Sequence, residues 1–393
     1  MFVHTDAMKG IFPTDRFQTI CTPFYYYDAD LLRQTLLAIR HEIDSHEGFI
    51  MHYAVKANAN PKVLGIIRQA GFGADCVSGG EIEAALKAGF PANKIVYAGV
   101  GKSDWEILLG LKHDILCFNV ESLAELEVID QLARQVGQTA RVALRINPDV
   151  GAHTHANITT GLAENKFGIA MRDMEDVIDR ANAMANVKFV GLHFHIGSQI
   201  LNMGDFQALC NRINDLQQQL DRHHVSVGSI NVGGGLGIDY QHPNRVPMAD
   251  FKAYFDTFAR QLRLRYGQTL HFELGRAVVA PCGSLITRTL YIKEGAAKKF
   301  CIVDAGMTDL IRPALYQAYH KIENLTSDAP CEPYDVVGPI CESSDVFAKQ
   351  VDLNQCRRGD LIAIRSAGAY GEIMASGYNC RRLPLGYTSD ELI

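Results

Sequence analysis

Nowhere in its 393 residues does the sequence hold an apolar run near the ~18 residues a membrane helix needs, so no membrane span is expected. Basic runs are missing too. Lys and Arg number 38 against 44 Asp and Glu, a formal charge of −6, which removes the bulk attraction that non-specific nucleic-acid binding depends on. The ten cysteines form no Cys-x-x-Cys pair and show no tight spacing, which argues against a disulfide scaffold or a zinc ribbon. They read as reduced thiols, mostly in a core. Residues Met1 to Thr14 carry charges and lack the apolar stretch of a secretory signal, so the cytoplasm is the expected compartment. What is present, 47% apolar and 21% charged residues, suits a globular chain of two to three domains.

Through roughly the first 280 residues, apolar runs of strand length alternate with amphipathic segments of helix length. Strands are expected at Phe49–Val55, Gly73–Cys76, Ile95–Ala98, Ile115–Phe118, Val142–Ile146, Phe189–His195, Ser229–Val232 and Leu270–Leu274. Helices are expected at Asp28–Glu42, Lys62–Ala70, Gly80–Ala88, Asp104–Leu111, Ser122–Gln135, Asp173–Ala183, Phe206–Leu220 and Ala249–Leu264. The gap after the fifth strand opens with a polar, irregular stretch, Asn147–Lys166. Continuous apolar runs are the mark of buried parallel strands, and eight of them separated by helices predict a (β/α)₈ TIM-like barrel, with a doubly wound open sheet as the competitor. After Pro281 strand-like runs and turn residues dominate. The expected organisation is a barrel over residues 28–280 and a mostly β C-terminal domain over 281–393, joined by residues 1–27.

Barrels carry their active sites at the C-terminal strand ends, and six candidate strands place chemistry there. Lys56 ends the first, Asp75 lies in the second, Arg145 in the fifth, and His195 ends the sixth. Gly233, Gly234 and Gly235 end the seventh, and Glu273-Leu-Gly275-Arg276 ends the eighth. Singly, each has an ordinary reading: a solvated lysine, a tight turn, a packed histidine, an ion pair. His193 and His195 are read as pointing to opposite faces of their strand, and no metal site is expected. Together, a lysine nucleophile beside apolar residues, a glycine loop open to a phosphate, a flat imidazole and a carboxylate suit pyridoxal 5′-phosphate. A carboxylate at Glu273 would keep a pyridine ring protonated, which favours decarboxylation over racemisation.

The motifs run in order along nearly the whole chain: Tyr53-Ala-Val-Lys-Ala-Asn58, Leu192-His-Phe-His-Ile-Gly-Ser-Gln199, Gly233-Gly-Gly-Leu-Gly237, Asp304-Ala-Gly-Met307, Arg312-Pro-Ala-Leu-Tyr316, Gly338-Pro-Ile-Cys-Glu-Ser343 and Gly368-Ala-Tyr-Gly371. In this order they resemble the alanine-racemase-like, fold-type III decarboxylases, and within them the diaminopimelate decarboxylase family. The resemblance implies that Lys56 holds the cofactor covalently, His195 stacks on its ring and Glu273 meets its ring nitrogen. It places Ser198, the Gly233–Gly235 loop, Gly275, Arg276 and Tyr370 around the cofactor, with Asp75 and Arg145 nearby. Arg312 and Tyr316 would grip a substrate carboxylate, with Arg276 and Tyr370 within reach of substrate. Cys341, a candidate proton donor, and Glu342 would enter from a second subunit of a homodimer. Leu274 stands where the family commonly has Pro, which leaves the approach of Glu273 less rigidly set. Close relatives take substrates with a cationic far end, such as carboxynorspermidine and other polyamine precursors. An arginine fork at 312 instead suits the distal carboxylate of meso-diaminopimelate, with Glu342 for its ammonium. The implied reaction is decarboxylation of meso-diaminopimelate to L-lysine; a polyamine-precursor decarboxylase and a non-catalytic cofactor-binding homologue are the alternatives.

Overall fold

The computed structural model of the protein describes residues 12–151 and 166–392. The first eleven residues of the expected joining segment, and 152–165 of the irregular stretch at Asn147–Lys166, lie outside them. The chain divides into two compact units: residues 35–237 with 250–275, and the described parts of 1–34, 238–249 and 276–393.

The first unit is a closed barrel of eight parallel strands: Phe49–Ala54, Gly73–Cys76, Ile95–Tyr97, Cys117–Val120, Ala140–Asn147, Val187–His193, Ser229–Asn231 and Thr269–Leu274. Each pairs with the next, and the eighth closes on the first with Glu273 opposite His52. Short polar residues start the helices between them. Asn60 caps Pro61–Gln69 by accepting the Lys62 N–H, and Ser78 and Ser122 accept the N–H of Glu81 and Glu125. These bonds satisfy helix-end donors and set where each helix leaves its strand.

Two strands are displaced by two residues from their expected positions. The fourth strand runs Cys117–Val120 rather than Ile115–Phe118, because the polar Asn119 points into the barrel and interrupts the apolar run without interrupting the strand. The sixth stops at His193, so His195 lies two residues beyond it. His193 and His195 serve the same inner end of the barrel, contrary to the expectation of opposite faces. Residues two apart in an extended chain share a side; His193 Nε2 meets Glu273, and His195 Nδ1 meets the Gly234 N–H of the loop after the seventh strand.

The second unit is mostly β. The strand Phe24–Tyr27 lies between Gly283–Glu294, antiparallel, and Leu385–Thr388, parallel. Gly283–Glu294 also pairs with Lys299–Val303 and Leu361–Ile364, and Cys331–Val337 joins Lys299–Val303 to Val346–Asn354. Its core includes Phe17, Phe24, Tyr26, Ile286 and Leu361. A short helix, Arg312–Tyr316, has Pro313 in its first turn, where a missing N–H costs nothing. The fold is thus a (β/α)₈ barrel with a mostly β domain.

Candidate active site

Alternate barrel strands contribute side chains to a shared interior layer. Here the second, fourth, sixth and eighth strands supply Asp75, Asn119, His193 and Glu273, all buried. Glu273 organises the layer. Its Oε1 accepts the side-chain amides of Asn231 (2.7 Å) and Asn119 (3.2 Å), and its Oε2 lies 3.0 Å from His193 Nε2. Burial alone would raise the Glu273 pKa. The electrostatic attraction and hydrogen bond of His193, with Lys56 and His52, reverse that and hold the carboxylate below its usual range. It is therefore ionised, and Oε2 keeps acceptor capacity for one more donor.

Lys56 sits just past the first strand in the short turn Val55–Ala57, its side chain 38% exposed between two buried neighbours. Its Nζ is 3.7 Å from Asp75 Oδ2. Asp75 nevertheless has a raised pKa: burial and the charge of Glu273 outweigh the opposing cations Lys56 and Arg145. Two carboxyls in one layer are thus driven apart, Glu273 to the ionised form and Asp75 toward the neutral one. Neither Asp75 oxygen makes a hydrogen bond among the described residues.

The loops after the sixth and seventh strands are laced together, since Ile200 N–H donates to Gly235 O and Gly237 N–H to Ile200 O, both at 2.9 Å. Ser198 is part of that pair of loops. The glycine loop admits no side chain. Gly233 and Gly235 have φ of +68° and +108°, and a Cβ on Gly234 would lie 2.0 Å from the Glu273 carbonyl. The N–H of Gly234 donates to His195 Nδ1 at 3.3 Å, which leaves the proton of a neutral imidazole on Nε2. Burial, with Lys56 and Arg145 nearby, keeps His195 neutral by lowering its pKa well below the usual value. Gly275 is as constrained: a Cβ would sit 2.9 Å from that of Ala57. Leu274, buried, continues the eighth strand to its end.

Arg145 is engaged by the chain itself, donating to Glu121 at 2.8 Å and lying over the Phe167 ring. Glu121 in turn accepts from Gly99 and Gly168 N–H groups. The residues missed from sequence are His193, Asn119 and Asn231. The polar–apolar alternation Leu192-His193-Phe194-His195 was the available signal for the first.

The second unit brings together Arg276, Arg312 and Tyr370. Arg276 lies over the Tyr370 ring at 4.8 Å, and Arg312 is buried with neutral side-chain partners, the Tyr240 hydroxyl (2.9 Å) and His320 Nε2 (3.1 Å). Tyr316 closes the helix that Arg312 begins. Cys341 and Glu342 stand exposed beyond the strand Cys331–Val337, and Glu342 accepts the Tyr378 hydroxyl (2.7 Å) and Ser344 Oγ (3.2 Å), not Arg312.

These residues fit pyridoxal phosphate. An ionised, buried carboxylate with spare acceptor capacity, a neutral imidazole, an orphaned buried carboxyl beside an amine, and a loop with no room for side chains are what its ring and phosphate require. Comparison with known proteins agrees. Residues 30–280 match the family described as pyridoxal-dependent decarboxylase, pyridoxal binding domain. The chain is 72% identical over 386 residues to the diaminopimelate decarboxylase of Bacteroides thetaiotaomicron, covering 98% of this chain and 100% of that one. It is 42% identical to the diaminopimelate decarboxylase of Helicobacter pylori (strain J99), covering 93% and 89%. The crystal structure of the Helicobacter pylori diaminopimelate decarboxylase complexed with L-lysine superposes with a TM-score of 0.90 at 40% identity, covering 96% of this chain and 94% of that one.

Proposed function

The chain belongs to the pyridoxal-dependent decarboxylases, in the diaminopimelate decarboxylase family, and from that premise we propose how its residues divide the work of converting meso-diaminopimelate to L-lysine and carbon dioxide. Lys56 holds the cofactor covalently, His195 lies against its ring, and Glu273 accepts from its ring nitrogen. Ser198, the Gly233–Gly235 loop, Gly275, Arg276 and Tyr370 hold its phosphate end, Arg276 and Tyr370 also reach the substrate, and Asp75 and Arg145 lie near the cofactor. When bound, pyridoxal phosphate supplies the electron sink that takes up the pair left behind by departing carbon dioxide. Glu273 remains ionised throughout because three donors from the chain already hold its charge. Cys341 returns a proton to Cα, and Glu342 and Tyr316 bind the distal amino-acid end.

The observation that carries the substrate assignment is Arg312: a buried guanidinium whose side-chain partners are neutral. A buried cation whose side-chain partners among the described residues are neutral suits a ligand that brings a carboxylate, and repels one whose far end is cationic. Holding that remote carboxylate orients the reacting one. Arg312→Lys keeps the charge and loses the fork. It is expected to raise KM for diaminopimelate by about 10- to 100-fold, with a smaller change in kcat. An unchanged KM would remove Arg312 from the substrate site.

The working unit is a homodimer in which Cys341 and Glu342 complete the partner's site; their exposure in the single chain supports this reading. The compartment is the cytoplasm. All ten cysteines are free thiols, as a reducing compartment favours, and among the described residues no helix is long and apolar enough to cross a membrane.

A further inference from the structure

Tyr240 lies three residues beyond Gly237, in the 238–249 segment that belongs to the β-domain unit. Its hydroxyl oxygen accepts two cationic donors, Arg276 Nη1 and Arg312 Nη1, each at 2.9 Å. The two guanidinium nitrogens therefore stand no further apart than twice that distance. Other contacts fix the orientation as well as the spacing. The Arg312 guanidinium carbon is 5.0 Å from the centre of the Tyr240 ring, and that ring meets His320 edge to face, 5.2 Å between centroids at 79°. His320 Nδ1 donates to the Arg365 carbonyl (2.8 Å), so its Nε2 is the acceptor for Arg312. Arg276 is held over Tyr370 in the same unit.

Two buried guanidiniums this close repel each other, and something must hold them. A carboxylate would hold them firmly, but it would cancel the charge and compete with an incoming carboxylate for the same donors. A phenol accepts from both and leaves both charges in place. The two arginines act back on it: burial would raise the Tyr240 pKa, and their charges and hydrogen bonds lower it instead.

We propose that Tyr240 is a positioning residue for the distal carboxylate, its hydroxyl oxygen holding Arg276 and Arg312 at a fixed spacing so that substrate meets a preset pair of forks. This deepens the assignment of Arg312 as the reader of that carboxylate and rests on it. Preset donors lower the ordering cost of binding, so the effect belongs in affinity for any ligand bearing the distal carboxylate. Decarboxylation at one end of diaminopimelate leaves L-lysine, which keeps the other carboxylate. 1,5-Diaminopentane has the same chain and neither carboxylate. The two compounds therefore separate a carboxylate reader from general damage.

The experiment uses the holoenzyme and Tyr240→Phe, which removes only the hydroxyl and keeps the ring contacts. The expected result is a rise of about 10-fold or more in KM for diaminopimelate and in the inhibition constant of L-lysine, with kcat within about 3-fold. Inhibition by 1,5-diaminopentane should move less than about 2-fold. Unchanged lysine inhibition, or equal weakening of both inhibitors, would overturn the role of Tyr240. Arg312→Lys is measured in parallel. If it also leaves lysine inhibition intact, the fault lies with the Arg312 assignment; if it weakens lysine while Tyr240→Phe does not, only the Tyr240 proposal falls.

Discussion

Lys56→Ala is expected to lower carbon dioxide release from diaminopimelate by about 10³-fold or more, and to abolish covalent retention of the cofactor after borohydride reduction. The position explains the size of the effect. Lys56 is the amine at the end of the first strand, 3.7 Å from a buried carboxyl whose own ionisation is suppressed. Lys102, in the loop after the third strand, is committed to Glu125 and to the carbonyls of Gly99 and Asn119. It has no freedom to substitute. The variant also tests the shared site. Lys56→Ala and Cys341→Ala chains, each inactive alone, should regain about one quarter of wild-type activity when mixed and allowed to exchange. Random pairing makes half of the dimers hybrid, each with one complete site. Exchange without recovery would mean that each chain builds its site alone.

Glu273→Gln is expected to lower kcat by about 10²-fold with correct folding. Gln keeps the shape and can still accept the Asn119 and Asn231 amides through its oxygen. Its amide then faces His193 Nε2, donor against donor. His193 must move its proton to Nδ1, a buried atom that has no hydrogen-bond partner in the described structure. Stability should fall by about 1–3 kcal/mol, measured by denaturant unfolding of the holoenzyme. Retention of more than half of wild-type kcat would show that the charge of Glu273 is not needed.

The strands could be read in the sequence because a buried parallel strand is a local signal, a short apolar run between turns. The rim residues followed from them, since Lys56, Glu273 and the glycine triplet sit where such runs stop. The layer beneath them could not be read the same way. Asn119, Asn231 and His193 meet Glu273 across separations of 154, 42 and 80 residues, and only closure of the barrel brings them together. A single polar residue inside an apolar run looks like an interruption until its partner is known. Asn119 shifted the fourth strand for that reason, and His193 was assigned to the wrong face. Tyr240 carried no local mark either, because its meaning lies in two arginines 36 and 72 residues away. Cys341 and Glu342 came from the family resemblance alone.

The most direct test of the account is carbon dioxide release by the holoenzyme from meso-diaminopimelate, run beside ornithine, arginine and carboxynorspermidine with added pyridoxal phosphate. The account predicts release from diaminopimelate alone, with one L-lysine formed per carbon dioxide. Release from carboxynorspermidine or ornithine with diaminopimelate inert would contradict it, because a buried Arg312 with neutral partners has no use for a cationic far end.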